Sequence, residues 1–421
     1  MLIHSASQLL TIAGTPQRGN SLGKLNILED GAVLIGDGKI KKVGKSKELL
    51  DAYPEELKIN ANNKVVMPGF VDPHTHAVWA GSRAAEFELK LEGKSYLEIL
   101  ASGGGILSTV TETRKASFNE LVDQTRDRLW KMLQYGSTTI EVKTGYGLNI
   151  ESEIKMLKVV LELDNEGPWN LMPTFLGAHA IPPEYKDNTQ GYTNFVCEEM
   201  LPAILEWWNE NTGRKKLPFV DVFCETGAFD INQTKQIFDA ARKLGFKLKV
   251  HADEFDNLGG ASLAVDYKAI SADHLVVTSS DDISSLGTSN TVAVALPGTP
   301  FGLGHSEYTP AKKILEADGI LAIASDLNPG TTWCENMQMP IALACRFMKL
   351  TPAQAIVAAT LNAAAAIDRD RDIGSIEVGK NADLLMLSVV DYRQLGYQYG
   401  TNLVKTVVKN GKVISFNEDI N

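Results

Sequence analysis

Cysteine is scarce: Cys197, Cys224, Cys334 and Cys345 are scattered through 421 positions with no C-x-x-C pair. This excludes a disulfide scaffold and a cysteine-built structural zinc site, and leaves buried free thiols as the expectation. Basic residues are outnumbered, 41 Lys+Arg against 52 Asp+Glu, for a formal charge of -11. That balance argues against nucleic acid or an anionic membrane as a partner, because both call for basic patches. No apolar run approaches the roughly 20 residues of a membrane span. Met1-Leu2-Ile3-His4-Ser5-Ala6 lacks the basic and apolar regions of a secretory signal. A cytoplasmic protein with no membrane and no nucleic-acid partner is expected.

The chain is 44% hydrophobic, and its length suits one barrel of roughly 250 residues or more with a smaller domain appended. Short apolar runs alternate with longer helical stretches, the pattern of parallel βα units. Eight runs can be counted, at 67 to 72, 138 to 143, 170 to 176, 219 to 224, 246 to 251, 270 to 274, 291 to 296 and 321 to 326. Helical patterns such as 117 to 135 and 233 to 244 lie between them. Eight is the number that closes a (β/α)8 barrel.

The two ends read differently. Residues 24 to 44 form short strands punctuated by Asp30-Gly31 and Asp37-Gly38, and 383 to 387, 404 to 408 and 413 to 414 repeat the pattern around Asn410-Gly411. These dipeptides accept the positive φ of tight hairpin turns. The expected architecture is α/β, a TIM-like (β/α)8 barrel over 65–365 with a small β-sandwich domain built from 1–64 and 366–421.

In such a barrel chemistry sits at the C-terminal ends of the strands. Five of the seven histidines fall there: His74 and His76 after the first run, His179 just past the third, His251 after the fifth and His274 after the sixth. Lys143, Glu225 and Asp326 end the second, fourth and eighth. Strand residues two apart share a face, so His74-Thr75-His76 aims two imidazoles at one point. His74, His76, His251 and Asp326 supply three neutral nitrogens and one carboxylate, a donor set for a catalytic metal with one position left for water. Zinc and iron both suit it. A cation there lowers the proton affinity of water and polarises a carbonyl, so hydrolysis is the expected chemistry. Asp326 is placed to accept a proton from the attacking water, and His274 to orient that water or steady an oxyanion. Lys143 is read as pairing with Glu141 or Glu225, without a role of its own. Gly103-Gly104-Gly105 lacks the Gly-Lys-Ser/Thr of a phosphate loop and is read as a flexible loop near the site.

Val71-Asp72-Pro73-His74-Thr75-His76, His251, His274, Asp326 and the tail Gly374-Ser375-Ile376-Glu377-Val378-Gly379-Lys380-Asn381-Ala382-Asp383-Leu384 together resemble the amidohydrolase superfamily over essentially the whole chain. Within it, Ala80-Gly81-Ser82-Arg83, Gly103-Gly104-Gly105-Ile106, Lys143-Thr144-Gly145-Tyr146-Gly147, Phe175-Leu176-Gly177-Ala178-His179 and His251-Ala252-Asp253-Glu254 are similar to the branch that opens imidazolone rings in histidine degradation. The resemblance implies one zinc or iron ion and hydrolysis of the ring amide of 4-imidazolone-5-propanoate, a small anionic imidazolone, to N-formimidoyl-L-glutamate. It also implies that Arg83 holds the propionate, that Tyr146 and His179 line the ring and its carbonyl, and that Asn328, Gly330 and Thr331 contact substrate or product. Glu254 would contact a ring nitrogen, with proton transfer as a second role. A homodimer is usual among such relatives. Many superfamily members bridge two metals with a carboxylated lysine on the fourth strand. Residues 219 to 225 contain none, which favours one metal and leaves Glu225 as the candidate for a second. Two rival readings stay open: a purine or pterin aminohydrolase of the same superfamily, and a scaffold that kept the barrel without its chemistry.

Overall fold

The computed structural model describes residues 1–94 and 104–416. Gly103 of the glycine triplet lies outside them. Eight parallel strands follow one another in sequence order: β1 (Phe70–Asp72), β2 (Ser137–Lys143), β3 (Asn170–Ala178), β4 (Phe219–Cys224), β5 (Lys247–Ala252), β6 (Ser271–His274), β7 (Val292–Ala295) and β8 (Leu321–Ile323). Every residue of β2 is buried, as expected of a parallel strand covered on both faces. The seam between β1 and β8 closes just beyond the strands themselves. Thr75 bridges Leu327 in parallel, the His76 amide donates to the Leu327 carbonyl at 2.8 Å, and the Asp326 amide donates to the His74 carbonyl at 3.1 Å. The barrel is therefore locked shut by the segments that carry His-x-His and Asp326.

The surrounding helices start where local chemistry says they should. Ser117 caps Phe118–Gln134 in a reciprocal capping box with Glu120, and Asp230 does the same for Ile231–Lys243 with Gln233. Each box satisfies two backbone groups that would otherwise lack partners. No helix among the described residues is long and apolar enough to cross a membrane.

The termini supply two further sheets. One orders Lys39–Lys45, Gly31–Gly36, Leu2–Ala6 and Lys58–Asn60; the other orders Lys412–Ile414, Val404–Lys409, Leu384–Leu387, Val65–Pro68, Gln8–Leu10 and Ile27–Leu28. Ile3, Val33 and Ile40 of the first pack with Leu9, Val66, Leu384 and Val408 of the second, a small sandwich made from both chain ends. Asp30, Asp37 and Asn410 take positive φ (49°, 51° and 47°) in the expected turns.

The run expected at 67 to 72 divides. Val65–Pro68 pairs with Leu384–Leu387 and Gln8–Leu10 in the sandwich, and only Phe70–Asp72 belongs to the barrel. Gly69 marks the crossing point, where the backbone runs so close to Thr138 that any side chain would collide with it.

Candidate active site

The tips of β1 and β8 bring three of the expected ligand atoms together, and His251 at the tip of β5 lies beside them. His74 Nε2 lies 3.5 Å and His76 Nε2 3.6 Å from Asp326 Oδ1, and His251 Nε2 lies 3.4 Å from His76 Nε2. A cation held tetrahedrally at ~2.1 Å sets its ligands about 3.4 Å apart, so His74, His76 and Asp326 are spaced for one first-row ion; His251 adjoins this trio through His76 and groups separately with His74 and His274. All four side chains are buried, and His74 Nε2 has no hydrogen-bond partner. Leaving such an atom unpaired costs about 1–3 kcal/mol, which a bound cation offsets. Burial first, and the Lys143 ammonium beside His74 or the His179 ring beside His76 second, hold both imidazoles well below their ordinary pKa. They therefore present lone pairs, as metal ligation requires.

Local backbone explains the aim of each group. His74 and His76 share a face, while the hydroxyl of Thr75 between them donates to the Glu141 carbonyl at 2.7 Å. Asp326 and His274 both take left-handed conformations, φ 54° and 79°, which non-glycine residues adopt rarely and which gather at functional sites. At His274 this departure from strand geometry lets two successive residues serve the site: Asp273 Oδ2 lies 2.6 Å from His74 Nδ1, and the His274 ring lies 5.5 Å from that of His74. Thr299, in the short helix Gly298–Leu303 after β7, donates to Asp326 Oδ2 at 2.5 Å, leaving Oδ1 for the cation. Burial raises the Asp326 carboxyl to about 6 against the pull of that hydrogen bond.

Around this centre lie the other expected residues. His179 stacks on His76 with centroids 4.9 Å apart and planes at 15°. Its Nδ1 lies 3.0 Å from the Gly145 carbonyl, which can only accept, so Nδ1 carries the hydrogen and Nε2 is left as an acceptor. Burial, with the nearby His251 ring, pushes His179 down to about 3, so it is neutral. Glu254 Oε2 is 3.6 Å from His274 Nδ1, and burial, reinforced by Asp326 and Glu225, raises its carboxyl well above the ordinary value. Tyr146 is buried with its ring centroid 5.9 Å from that of His76 and 5.3 Å from that of His179.

Arg83 precedes the short helix Ala84–Leu91 and grips Glu86 through one edge of its guanidinium, Nε to Oε2 at 2.9 Å and Nη2 to Oε1 at 2.5 Å. Glu86 Oε2 also accepts the Gly105 amide at 2.8 Å. Nη1 lies against Gly330, where a β-carbon would strike it. Asn328 shapes that loop: its Oδ1 accepts the Gly330 and Thr331 amides at 2.8 and 2.9 Å, and its Nδ2 donates to the Asp326 carbonyl at 2.7 Å. Asn328 thereby ties the Gly330–Thr331 loop beside Arg83 to the backbone of Asp326.

Two expectations change. Glu225 is not poised for a second metal, because its oxygens accept the amides of Thr226, Phe255 and Asp256 at 2.9 to 3.0 Å. Among the described residues the groups able to share a cation are His74, His76, Asp326 and His74, His251, His274. Lys143 pairs with Glu141 as anticipated, but with Asp221 in place of Glu225. Sequence reasoning missed Asp221, Asp273, Thr299 and Glu86. Only Glu86 left a signal, its i,i+3 spacing from Arg83, and that pattern ordinarily marks a solvated pair.

Fold and site together define a metal-dependent amidohydrolase barrel. The model of the amidohydrolase family matches residues 225–414, and E. coli guanine deaminase superposes with a TM-score of 0.76 at 15% identity, covering 98% of each chain. A zinc-bound adenosine deaminase from Xanthomonas campestris gives 0.70 at 19%, over 98% of this chain and 92% of that one; both likenesses bear on the fold alone. The imidazolonepropionase of Herpetosiphon aurantiacus is 49% identical over 99% of this chain and 97% of its own, and that of Alkaliphilus oremlandii 45% over 98% and 97%. The chain belongs to the imidazolonepropionase family.

Proposed function

We propose that this protein hydrolyses the ring amide of 4-imidazolone-5-propanoate. Water adds to the ring carbonyl carbon, the C–N bond breaks, the departing nitrogen takes up a proton, and N-formimidoyl-L-glutamate is released. Bound by His74, His76, His251 and Asp326, one zinc or iron ion supplies a lowered proton affinity for water and polarisation of the carbonyl. Asp326 takes the proton of the attacking water. His274 steadies the charge that develops on the carbonyl oxygen, and Glu254 beside it contacts a ring nitrogen and returns a proton to the leaving one. The acceptor Nε2 of His179 meets a ring N–H, and Tyr146 lines the same wall. The guanidinium of Arg83 receives the propionate through the edge that Glu86 leaves open, beside Gly330 and Thr331.

The observation that carries this reading is the pairing of a one-ion cradle with a braced guanidinium, which selects a hydrolysable ring bearing an anionic tail over a neutral purine. Zinc-loaded protein offered the imidazolone and, separately, guanine tests it. Formation of N-formimidoyl-L-glutamate with no ammonia from guanine is expected; guanine deamination without ring opening overturns the reading. Metal analysis of protein purified from replete medium should give one equivalent per chain. A homodimer is proposed as the assembly, read by light scattering as twice the 45.8 kDa chain mass.

A further inference from the structure

Beneath the four ligands lies a buried charge cluster that the reaction above does not use. Lys143, the last residue of β2, is fully buried, with Nζ 2.7 Å from Asp221 Oδ2 on β4, 2.8 Å from Glu141 Oε1 and 3.7 Å from Asp273 Oδ2 on β6. Two of these carboxylates also face histidines of the cradle. His251 Nδ1 lies 3.1 Å from Asp221 Oδ1, and His74 Nδ1 lies 2.6 Å from Asp273 Oδ2. Lys249 of β5 sits below, its Nζ 3.8 Å from Asp273 Oδ2 and hydrogen-bonded to the Pro73 carbonyl at 2.9 Å.

The chemistry of the partners fixes what the imidazoles do. Lys143 donates to Asp221 at 2.7 Å, and Lys143 and Lys249 both lie within 4 Å of Asp273, so each carboxylate is ion-paired. An ionised carboxylate only accepts, so each facing imidazole carries its hydrogen on Nδ1 and turns a bare Nε2 toward the cation. His76 has no such brace, since its buried Nδ1 lacks a hydrogen-bond partner. Without the Lys143 ammonium between them, these two buried carboxylates would repel and lose the contact that holds each against its imidazole.

We propose that Lys143 is a positioning residue of the metal centre: one ammonium braces Asp221 and Asp273 together and through them sets the ring orientation and tautomer of His251 and His74 at once. The inference deepens the one-metal reading above and rests on it. It makes the affinity for the ion depend on a residue that touches neither ion nor substrate. Neutralising that residue should weaken both braced ligands together, while the end of the pocket at Arg83 stays intact.

The test compares metal-free wild type with Lys143→Met, a neutral residue of similar length, by competition for Zn2+ against a chromophoric chelator, with thermal unfolding of the metal-free forms in parallel. The expected result is a cooperatively folding variant whose affinity for Zn2+ is about 10- to 100-fold weaker, and whose kcat falls while KM changes by no more than about twofold. Undiminished Zn2+ affinity in the folded variant overturns this proposal and leaves the hydrolase reading standing; a wild type that takes up no Zn2+ overturns both. If Lys143→Met does not fold, Lys143→Gln, which keeps a hydrogen bond and loses the charge, is measured against the same expectation. Imidazole 15N shifts of metal-free wild type need no variant: Nδ1–H at His74 and His251 supports the proposal, and Nε2–H at either overturns it.

Discussion

The two ends of the pocket stand on different foundations. The proposed metal ligands project from the tips of β1, β5 and β8, and the segments bearing His74, His76 and Asp326 are hydrogen-bonded to one another as the seam of the barrel. Arg83 comes from the stretch beyond β1, and its guanidinium is aimed by one carboxylate three residues on and by a glycine from the loop after β8. The contrast separates two tasks. Reacting atoms must be held within a fraction of an ångström, which a closed ladder of backbone hydrogen bonds can do. Gripping the tail of a substrate tolerates more play, and loops on a rigid scaffold carry it. Damage at the first end should therefore appear in kcat, and damage at the second in KM.

The largest effect is expected from the metal end. Asp326→Ala removes a ligand and a proton acceptor together and should lower kcat on the order of 10^4-fold or more, with bound metal falling below one equivalent in the same sample. A variant that keeps its metal and more than a tenth of its turnover would erase the distinction between the two ends.

Arg83→Ala comes next and probes the other side. Losing a charge-assisted pair costs about 1.5–3 kcal/mol, or roughly 10- to 150-fold in KM, with kcat within a few-fold of wild type. Arg83→Lys should recover only part of that loss, because an ammonium cannot serve Glu86 and a carboxylate through two separate edges. Steady-state kinetics on the three proteins decide the matter; a fall in kcat with KM unchanged would place Arg83 in the chemistry.

The same contrast governs what could be read before any coordinates. His74, His76, His251 and Asp326 were legible because each ends a predicted strand, and strand alternation turns an adjacency in sequence into a convergence in space. The helical patterns at 117 to 135 and 233 to 244 were legible as well, although the second helix starts earlier, at Ile231 behind its Asp230 cap. Asp221 and Asp273 stayed hidden because a charged residue inside a barrel strand has the same spacing as one facing the helices, and because His274 leaves the alternation by its left-handed backbone. The strand at Val65–Pro68 was merged with β1 since apolar runs carry no mark of the sheet they join. Thr299 was invisible for a simpler reason: a threonine in the helix after β7 has nothing in sequence to tie it to Asp326, 27 positions away.

That threonine allows a sharper cut within the metal end. Its hydroxyl donates to Asp326 Oδ2, so Thr299→Val leaves a buried carboxylate oxygen without its partner at a cost of about 1–3 kcal/mol, expected as a drop of about tenfold in kcat with KM little changed. Thr299→Ser keeps the hydroxyl and should stay within about threefold of wild type. If both variants behave alike, the hydroxyl is not what orients Asp326.

The smallest predicted effect tests how finely the loop end is fitted. Gly330 is not in the left-handed region, so it is there for space, and the atom that a β-carbon would meet is Arg83 Nη1. Arg83 ends a flexible side chain and can retreat, but Glu86 holds two of its N–H groups, so the retreat tilts the guanidinium away from the propionate while leaving its charge in the pocket. Gly330→Ala should therefore raise KM by about fivefold, less than deleting Arg83, with kcat and bound metal unchanged. Combining it with Glu86→Gln should cost less than the sum of the two single changes, because both act through one guanidinium. Full additivity would mean that Gly330 and Glu86 influence the substrate by separate routes, and the loop end would then be two devices instead of one.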